Sequence, residues 1–253
     1  MGPGLGKLGG DPGTPRSFGE TSIFCGATVL AIQVAELRFA TEEGVWVLEN
    51  LSFSVRRDGF VWVVGPPGSG KTLLLRILLR EVRPHGGQIL LLGRNILRLS
   101  PKKFHELRRK VGYVSEEVHV LSGRTVLGNL NFKLRALGIG GEAAKEAIER
   151  ALDLAELHGY EQAYAKDLEP LELRRLGLAL ALCPDASVLL VDDPLRGLGK
   201  LEQDALLSTL ERINQAGVTL LATSREAQPL LSRGFTSNSS AHRAIIYLRE
   251  GAR

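Results

Sequence analysis

Residues Gly65 to Thr72 read GPPGSGKT, and they follow the apolar run Phe60-Val61-Trp62-Val63-Val64. The spacing G-x-x-x-x-G-K-[ST] is that of a phosphate-binding loop. Its glycines let consecutive backbone N–H groups turn inward around phosphate oxygens. The expected nucleotide-binding set is the whole run Gly65, Pro66, Pro67, Gly68, Ser69, Gly70, Lys71 and Thr72. Lys71 has the reach for the β- and γ-phosphates, and the Thr72 hydroxyl is a ligand for Mg²⁺. The flanks agree with the motif. The run before it has the character of a buried strand, and Leu73 to Leu79 is a Leu/Ile-rich helix containing Arg76. Phosphates held here lie at a helix N-terminus, where free N–H groups and the macrodipole favour negative charge.

Outward from the loop, residues 29–64 divide into three strand-like runs, AIQVAELRF, VWVLENLSFSV and FVWVV, separated by charged or Gly-bearing turns. Downstream, Arg83-Pro84-His85-Gly86-Gly87 is a turn leading to a strand over Gln88 to Leu92. Charged helical periodicity dominates residues 101–175, as in SPKKFHELRRK and GEAAKEAIERALDLAEL, with Ser100-Pro101 as a helix start. Ser187-Val188-Leu189-Leu190-Val191-Asp192 returns to a buried strand that ends in an acid. A helix over Leu201 to Ala216 and strands over Val218 to Ala222 and Ala244 to Leu248 complete the pattern. Strands alternating with helices predict an α/β fold of the P-loop NTPase kind. Its core sheet is mostly parallel and covered on both faces. An antiparallel β subdomain precedes it, and a helical subdomain is inserted at about residues 104–170. This domain spans residues 29–251. Residues 1–28, rich in Gly and Pro without apolar periodicity, read as a disordered tail.

Composition sets the bounds. The chain has 253 residues, 44% hydrophobic and 24% charged, a globular profile for one large α/β domain or two modest ones. Its net charge of +4 suits a nucleotide, a nucleic acid or an anionic membrane surface without choosing between them. Cys25 and Cys183 make neither a disulfide framework nor a metal spacing and read as reduced thiols, in keeping with the cytosol. No apolar run reaches the length of a membrane span; Ile23 to Val34 is short and interrupted by Gln33. A membrane link must come through a partner.

Taken in order, these pieces resemble the ATP-binding subunit of an ABC (ATP-binding cassette) transporter, over roughly residues 31–251. Within that family the likeness is nearest to the FtsE-type cell-division proteins, carried by ILRLSPKKFHELRRKVGYV and the LSGRTVLGNL that follows. The resemblance implies ATP and Mg²⁺ as cofactors, with Asp192 holding the metal. It implies an integral-membrane partner resembling FtsX and a peripheral place on the cytoplasmic face of the cell membrane. It allows a homodimer and implies no nucleic-acid partner. The groove around Glu116 to Asn131 is where family members grip a coupling helix of the membrane subunit. The adenine-stacking aromatic falls on Phe39, with Trp46 as the alternative.

Several motifs depart from the family pattern. The catalytic glutamate is replaced by Asp193, one methylene shorter, although a general base must come within about 3 Å of its water. The glutamine of the glutamine loop is Glu116, either a metal ligand or a solvated loop acid. The signature L-S-G-G-[EQ], which serves the opposite subunit's γ-phosphate, falls on Leu168-Glu169-Pro170-Leu171-Glu172. There Glu169 brings negative charge, Pro170 has no N–H and Leu171 adds bulk. Glu and Pro nevertheless suit a first helical turn, so the helix is kept while its phosphate grip is lost. The switch histidine is Ser224, which cannot carry a proton near neutrality as an imidazole does. The D-loop aspartate is Gly199. His85, His105, His119, His158 and His242 read as surface or turn residues.

The expectation is a nucleotide-binding subunit in which hydrolysis is weak or lost. The competing reading is an ordinary ABC ATPase that drives transport or lipoprotein release with Asp193 as base. A guanine-reading N-K-x-D sequence is absent, and no long heptads separate the two Walker motifs, which argues against GTPases and DNA-maintenance ATPases.

Overall fold

The computed structural model describes residue 1, residues 29–238 and residues 241–249. The stretch expected to be a disordered tail lies, but for Met1, outside the described residues, and so does Cys25.

Two long strands, β1 (Leu30–Ala40) and β2 (Trp46–Arg56), open the domain as a hairpin. β3 (Phe60–Val64) enters the phosphate loop, from which α1 (Lys71–Leu78) emerges. β4 (Gly86–Leu91) pairs back onto β1 and carries the two-residue β5 (Arg94–Asn95). The resulting sheet, in the order β2-β1-β4-β5, is antiparallel throughout, as the alternating sequence predicts.

α2 (Pro101–Arg108) begins where Ser100 accepts a hydrogen bond from the Lys103 N–H and Pro101 fixes the first helical φ. The chain then returns to the core as β6 (Val111–Val114). Residues 104–170, expected to be helical, therefore contain a strand. The helical layer itself is α3 (Val126–Ala136), α4 (Gly141–Leu154) and α5 (Pro170–Leu182). β7 (Val188–Val191), α6 (Lys200–Gln215), β8 (Thr219–Ser224), the short α7 (Gln228–Leu231) and β9 (Arg243–Tyr247) follow.

The second sheet runs β6-β7-β8-β3-β9 with every pairing parallel. All residues of β3, β7 and β8 are buried, because helices or the other sheet cover both faces. β3 shows how the faces divide. Phe60, Trp62 and Val64 pack with Leu130, Leu176 and Leu206 of the helical side. Val61 and Val63 pack with Leu74 and Ile77 of α1 and with Ile32 and Ile89 of the antiparallel sheet. A polar tie joins α5 to α6: Thr209, fully buried, donates to Glu156 Oε2 at 2.6 Å, and Arg175 pairs with the same carboxylate. Cys183 is buried as expected, and burial pushes its thiol up to about 11, so it stays protonated and inert. Among the described residues no helix is long and apolar enough to cross a membrane.

Candidate nucleotide site

The registers of the parallel sheet bring several chain segments to one end of it. Val114 pairs with Val191, Val191 with Ala222, and Val64 with Ser224. The residues just beyond those pairs therefore meet: Glu116 after β6, Asp192 and Asp193 after β7, Arg225 after β8, and the glycine loop after β3. Ligands of open α/β sheets bind beyond the carboxyl ends of the strands. A cavity of about 330 Å³ lies there, lined by Lys71, Thr72, Glu116, Asp192, Asp193 and Arg225, with Val47 and the loop backbone completing it.

Gly68 and Gly70 sit at φ 82° and 87°, the left-handed region that glycine enters without steric cost. Gly70 is the N-cap of α1 and no side chain caps the helix. The first turn therefore presents its N–H groups to an incoming oxyanion. A Cβ on Gly70 would stand 2.9 Å from both Leu48 Cδ2 and Val47 Cγ1. Gly70→Ala therefore combines a clash with a strained φ and should destabilise the domain by about 1–3 kcal/mol. The measurement is the urea midpoint; an unchanged midpoint would show that the loop relaxes freely.

Lys71 is only 8% exposed. Its Nζ donates to the carbonyls of Gly65 at 2.7 Å and Pro66 at 2.8 Å, so the ammonium lies across its own loop. Burial holds its pKa below the ordinary lysine value, and the negative charge of Asp193 offsets part of that. The loop is anchored to β8 as well, through the Gly65 N–H to the Ser224 carbonyl.

Thr223 orders the two acids. Its Oγ1 donates to Asp192 Oδ1 at 2.7 Å and accepts from the Asp193 N–H at 2.8 Å. Asp193 sits at φ 40°, a conformation that Asp tolerates better than most residues. Its carboxylate, buried beside Asp192, accepts from Arg225 Nε at 2.9 Å. Burial raises the Asp193 pKa above the usual carboxylate value, and Arg225 pulls it partly back.

Glu116 was expected as a metal ligand or a solvated acid. Its carboxylate instead pairs with Arg196 and stands 3.5 Å from Arg225, while Arg174 donates to its backbone carbonyl. Thr72 and Asp192 face the same cavity and offer the hard oxygen donors that Mg²⁺ takes alongside phosphate oxygens and water, so they fit the ion. Glu116 would have to leave its arginines to join them.

Phe39 is not brought to the cavity: its half-buried ring stands edge-on to His85 with centroids 5.4 Å apart. Val47 supplies the hairpin's contact instead, and the neighbouring Trp46 is 40% exposed and also edge-on to His85. Ser224 turns its hydroxyl to the Glu226 carbonyl, 2.9 Å away. Glu169 is the N-cap of α5 and Pro170 its first residue, as their helix-start chemistry predicts. Gly199 is the N-cap of α6, its N–H bonded to Glu202. Sequence reasoning passed over Thr223, Arg174, Arg196 and Arg225; only the position of Arg225, next to Ser224, signalled it.

A family model described as ABC transporter matches residues 48–196. The chain belongs to the ABC transporter family. The methionine import ATP-binding protein MetN of Carboxydothermus hydrogenoformans is 30% identical over 199 residues, 78% of this chain and 59% of that protein. The chain thus spans about three fifths of that relative's length. The cell division ATP-binding protein FtsE of Streptococcus pneumoniae is 29% identical over 204 residues, covering 81% of this chain and 86% of that one. Among solved structures, cbiO1 of Clostridium perfringens, part of an ABC transporter complex, has a TM-score of 0.73 at 20% identity, covering 78% and 79% of the two chains. That last likeness is one of fold. The ABC resemblance and the α/β cassette architecture read from the sequence both stand.

Proposed function

We propose that this ABC chain is an ATP-binding subunit of the FtsE kind, acting with an integral-membrane partner resembling FtsX on the cytoplasmic face of the cell membrane, with hydrolysis weak or lost. The observation that carries the reading is the state of Asp193. At the catalytic-glutamate position stands a carboxylate one methylene short, already accepting from Arg225 at 2.9 Å. A base must come within hydrogen-bond reach of its water, and the missing methylene sets this one back wherever Arg225 lies. ATP is the ligand that suits the glycine loop, Lys71 and the open start of α1 together. Mg²⁺, held by Thr72 and Asp192, would neutralise charge on the phosphates. The start of α5 supports a second loss. Pro170 offers no N–H, and Glu169 opposes a phosphate brought by a partner cassette in a dimer.

FtsE is favoured over MetN by the runs ILRLSPKKFHELRRKVGYV and LSGRTVLGNL, which carry the FtsE resemblance. The ordinary transport ATPase remains the second reading, supported by two carboxylates that stay buried side by side in the cavity.

The partner reading has a surface to act through. A groove of about 840 Å³ lies between the loop after β6 and α3, lined in part by Val118, Val120, Leu121 and Phe132. Asn129 fixes its lip, accepting from the Leu121 N–H at 2.8 Å and donating to the Leu121 carbonyl at 3.1 Å. Coupling helices dock through apolar packing, so Val120→Glu or Leu121→Glu should cut recovery with the membrane subunit roughly tenfold or more. Co-purification from detergent-solubilised membranes, with identification of the bound subunit, tests both the partner and the surface. Full recovery by folded variants would move the docking site elsewhere, and absence of any membrane subunit from the wild-type preparation would sink the FtsE reading.

A further inference from the structure

We infer that Arg225 is the residue by which this site tells ATP from ADP: its guanidinium, shared between Asp193 and Glu116, trades those carboxylates for the γ-phosphate. The inference rests on the reading that the chain binds ATP at the Lys71 loop.

Charge makes the first argument. The side chains lining the cavity include two cations, Lys71 and Arg225, against three carboxylates, Glu116, Asp192 and Asp193. A terminal phosphate entering this space meets Asp193 and Glu116 with like charge unless a cation comes between them. Lys71 lies at the loop, on the carbonyls of Gly65 and Pro66, and supplies the loop's own contact to the phosphates of either nucleotide. Arg225 is the other cation that lines the cavity.

Geometry makes the second. Arg225 follows β8 directly, and its stem is fixed by the Ser224 hydroxyl, which bonds both the carbonyl and the N–H of Glu226. Its side chain is 39% exposed. One good hydrogen bond, Nε to Asp193 Oδ2, holds it on one side. The contact to Glu116 is 3.5 Å, too long for a strong bond, so the guanidinium fork is only part-used. A phosphate dianion offers the planar fork two parallel charge-assisted bonds, a better match than two carboxylates approached from different strands. Glu116 can release Arg225 cheaply, because Arg196 remains paired with it and Arg174 holds its backbone. ADP presents no γ-phosphate and leaves Arg225 where it is.

The experiment is calorimetric titration of the full chain with a non-hydrolysable ATP analogue and with ADP, both with Mg²⁺. Wild type should prefer the triphosphate, and Arg225→Ala should lower that preference by about tenfold or more, the worth of one charge-assisted contact. Arg225→Lys, which keeps the charge without the fork, should retain part of it. In Arg225→Ala, Asp193 loses its partner and repels both nucleotides. Adding Asp193→Asn should therefore recover ADP affinity without recovering the preference. An ATP:ADP ratio unchanged in folded Arg225→Ala and Arg225→Lys overturns this inference alone. Failure of wild type to bind either nucleotide overturns the nucleotide reading and this inference together.

Discussion

Lys71→Ala is expected to lose at least tenfold in Mg-ATP affinity. The ammonium supplies a charge-assisted contact to the phosphates worth roughly 1.5–3 kcal/mol, more in a site that excludes water. Its present bonds, at 2.7 and 2.8 Å to the carbonyls of Gly65 and Pro66, add a second effect. Alanine leaves those two acceptors without their donor, Gly65 being buried and Pro66 exposed, so the loop should loosen and overall stability should fall as well. Binding and stability then separate by experiment. Titration reports the affinity, and a denaturant midpoint measured without nucleotide reports the loop. ADP affinity should fall with ATP affinity, because Lys71 stands at the loop itself and not beyond the β-phosphate, whereas a change at Arg225 should alter the ratio of the two affinities. Equal ATP affinity in the two proteins would show that the loop no longer holds nucleotide.

What the sequence made legible was whatever local chemistry dictates. The run from Phe60 to Thr72 could be read because a phosphate cradle demands glycine, lysine and hydroxyl at fixed spacing, and the buried strand before it must be apolar on both faces. Val188 to Asp192 was legible for the same reason, and the start of α5 at Pro170 followed from helix-start chemistry. β6 escaped because it is four residues long and sits between stretches of charged helical periodicity. Its membership of the sheet is decided by pairing with β7, more than seventy positions away in sequence, as Val111 and Val188 show. The arginines escaped for a related reason. Arg225 and Asp193 are 32 residues apart and meet only because β8 lies beside β7 in the sheet. No spacing rule encodes that meeting. Phe39 was placed by resemblance alone, and the ring instead finds an edge-on partner in the turn histidine His85.

Hydrolysis by the unmodified protein is expected close to background, and no single reversion should restore it. Asp193→Glu restores the length of the carboxylate and nothing else. Ser224→His returns an imidazole to a position whose hydroxyl now only braces its own turn. Neither change supplies donors for the γ-phosphate at the start of α5, and electrostatic stabilisation of the transferring group is usually the largest catalytic term. Groups that act as a unit are strongly non-additive, so the double variant Asp193→Glu, Ser224→His should stay near background. Adding Glu169→Ser, Pro170→Gly and Leu171→Gly should raise turnover by orders of magnitude above it. The helix has reason to survive those changes. Serine is a better N-cap than the present Glu169, whose side chain makes no capping bond, and this offsets part of the roughly 1 kcal/mol that each glycine costs in a helix. Leu171 is the position at greatest risk, since its side chain packs against the helical-side core. Steady-state phosphate release, with Lys71→Ala as the blank and circular dichroism as the check on folding, measures all of this. Rapid turnover by the unmodified chain, abolished in Lys71→Ala, would show that Asp193 serves as base in spite of its shorter side chain, and would return the protein to the working transport ATPases.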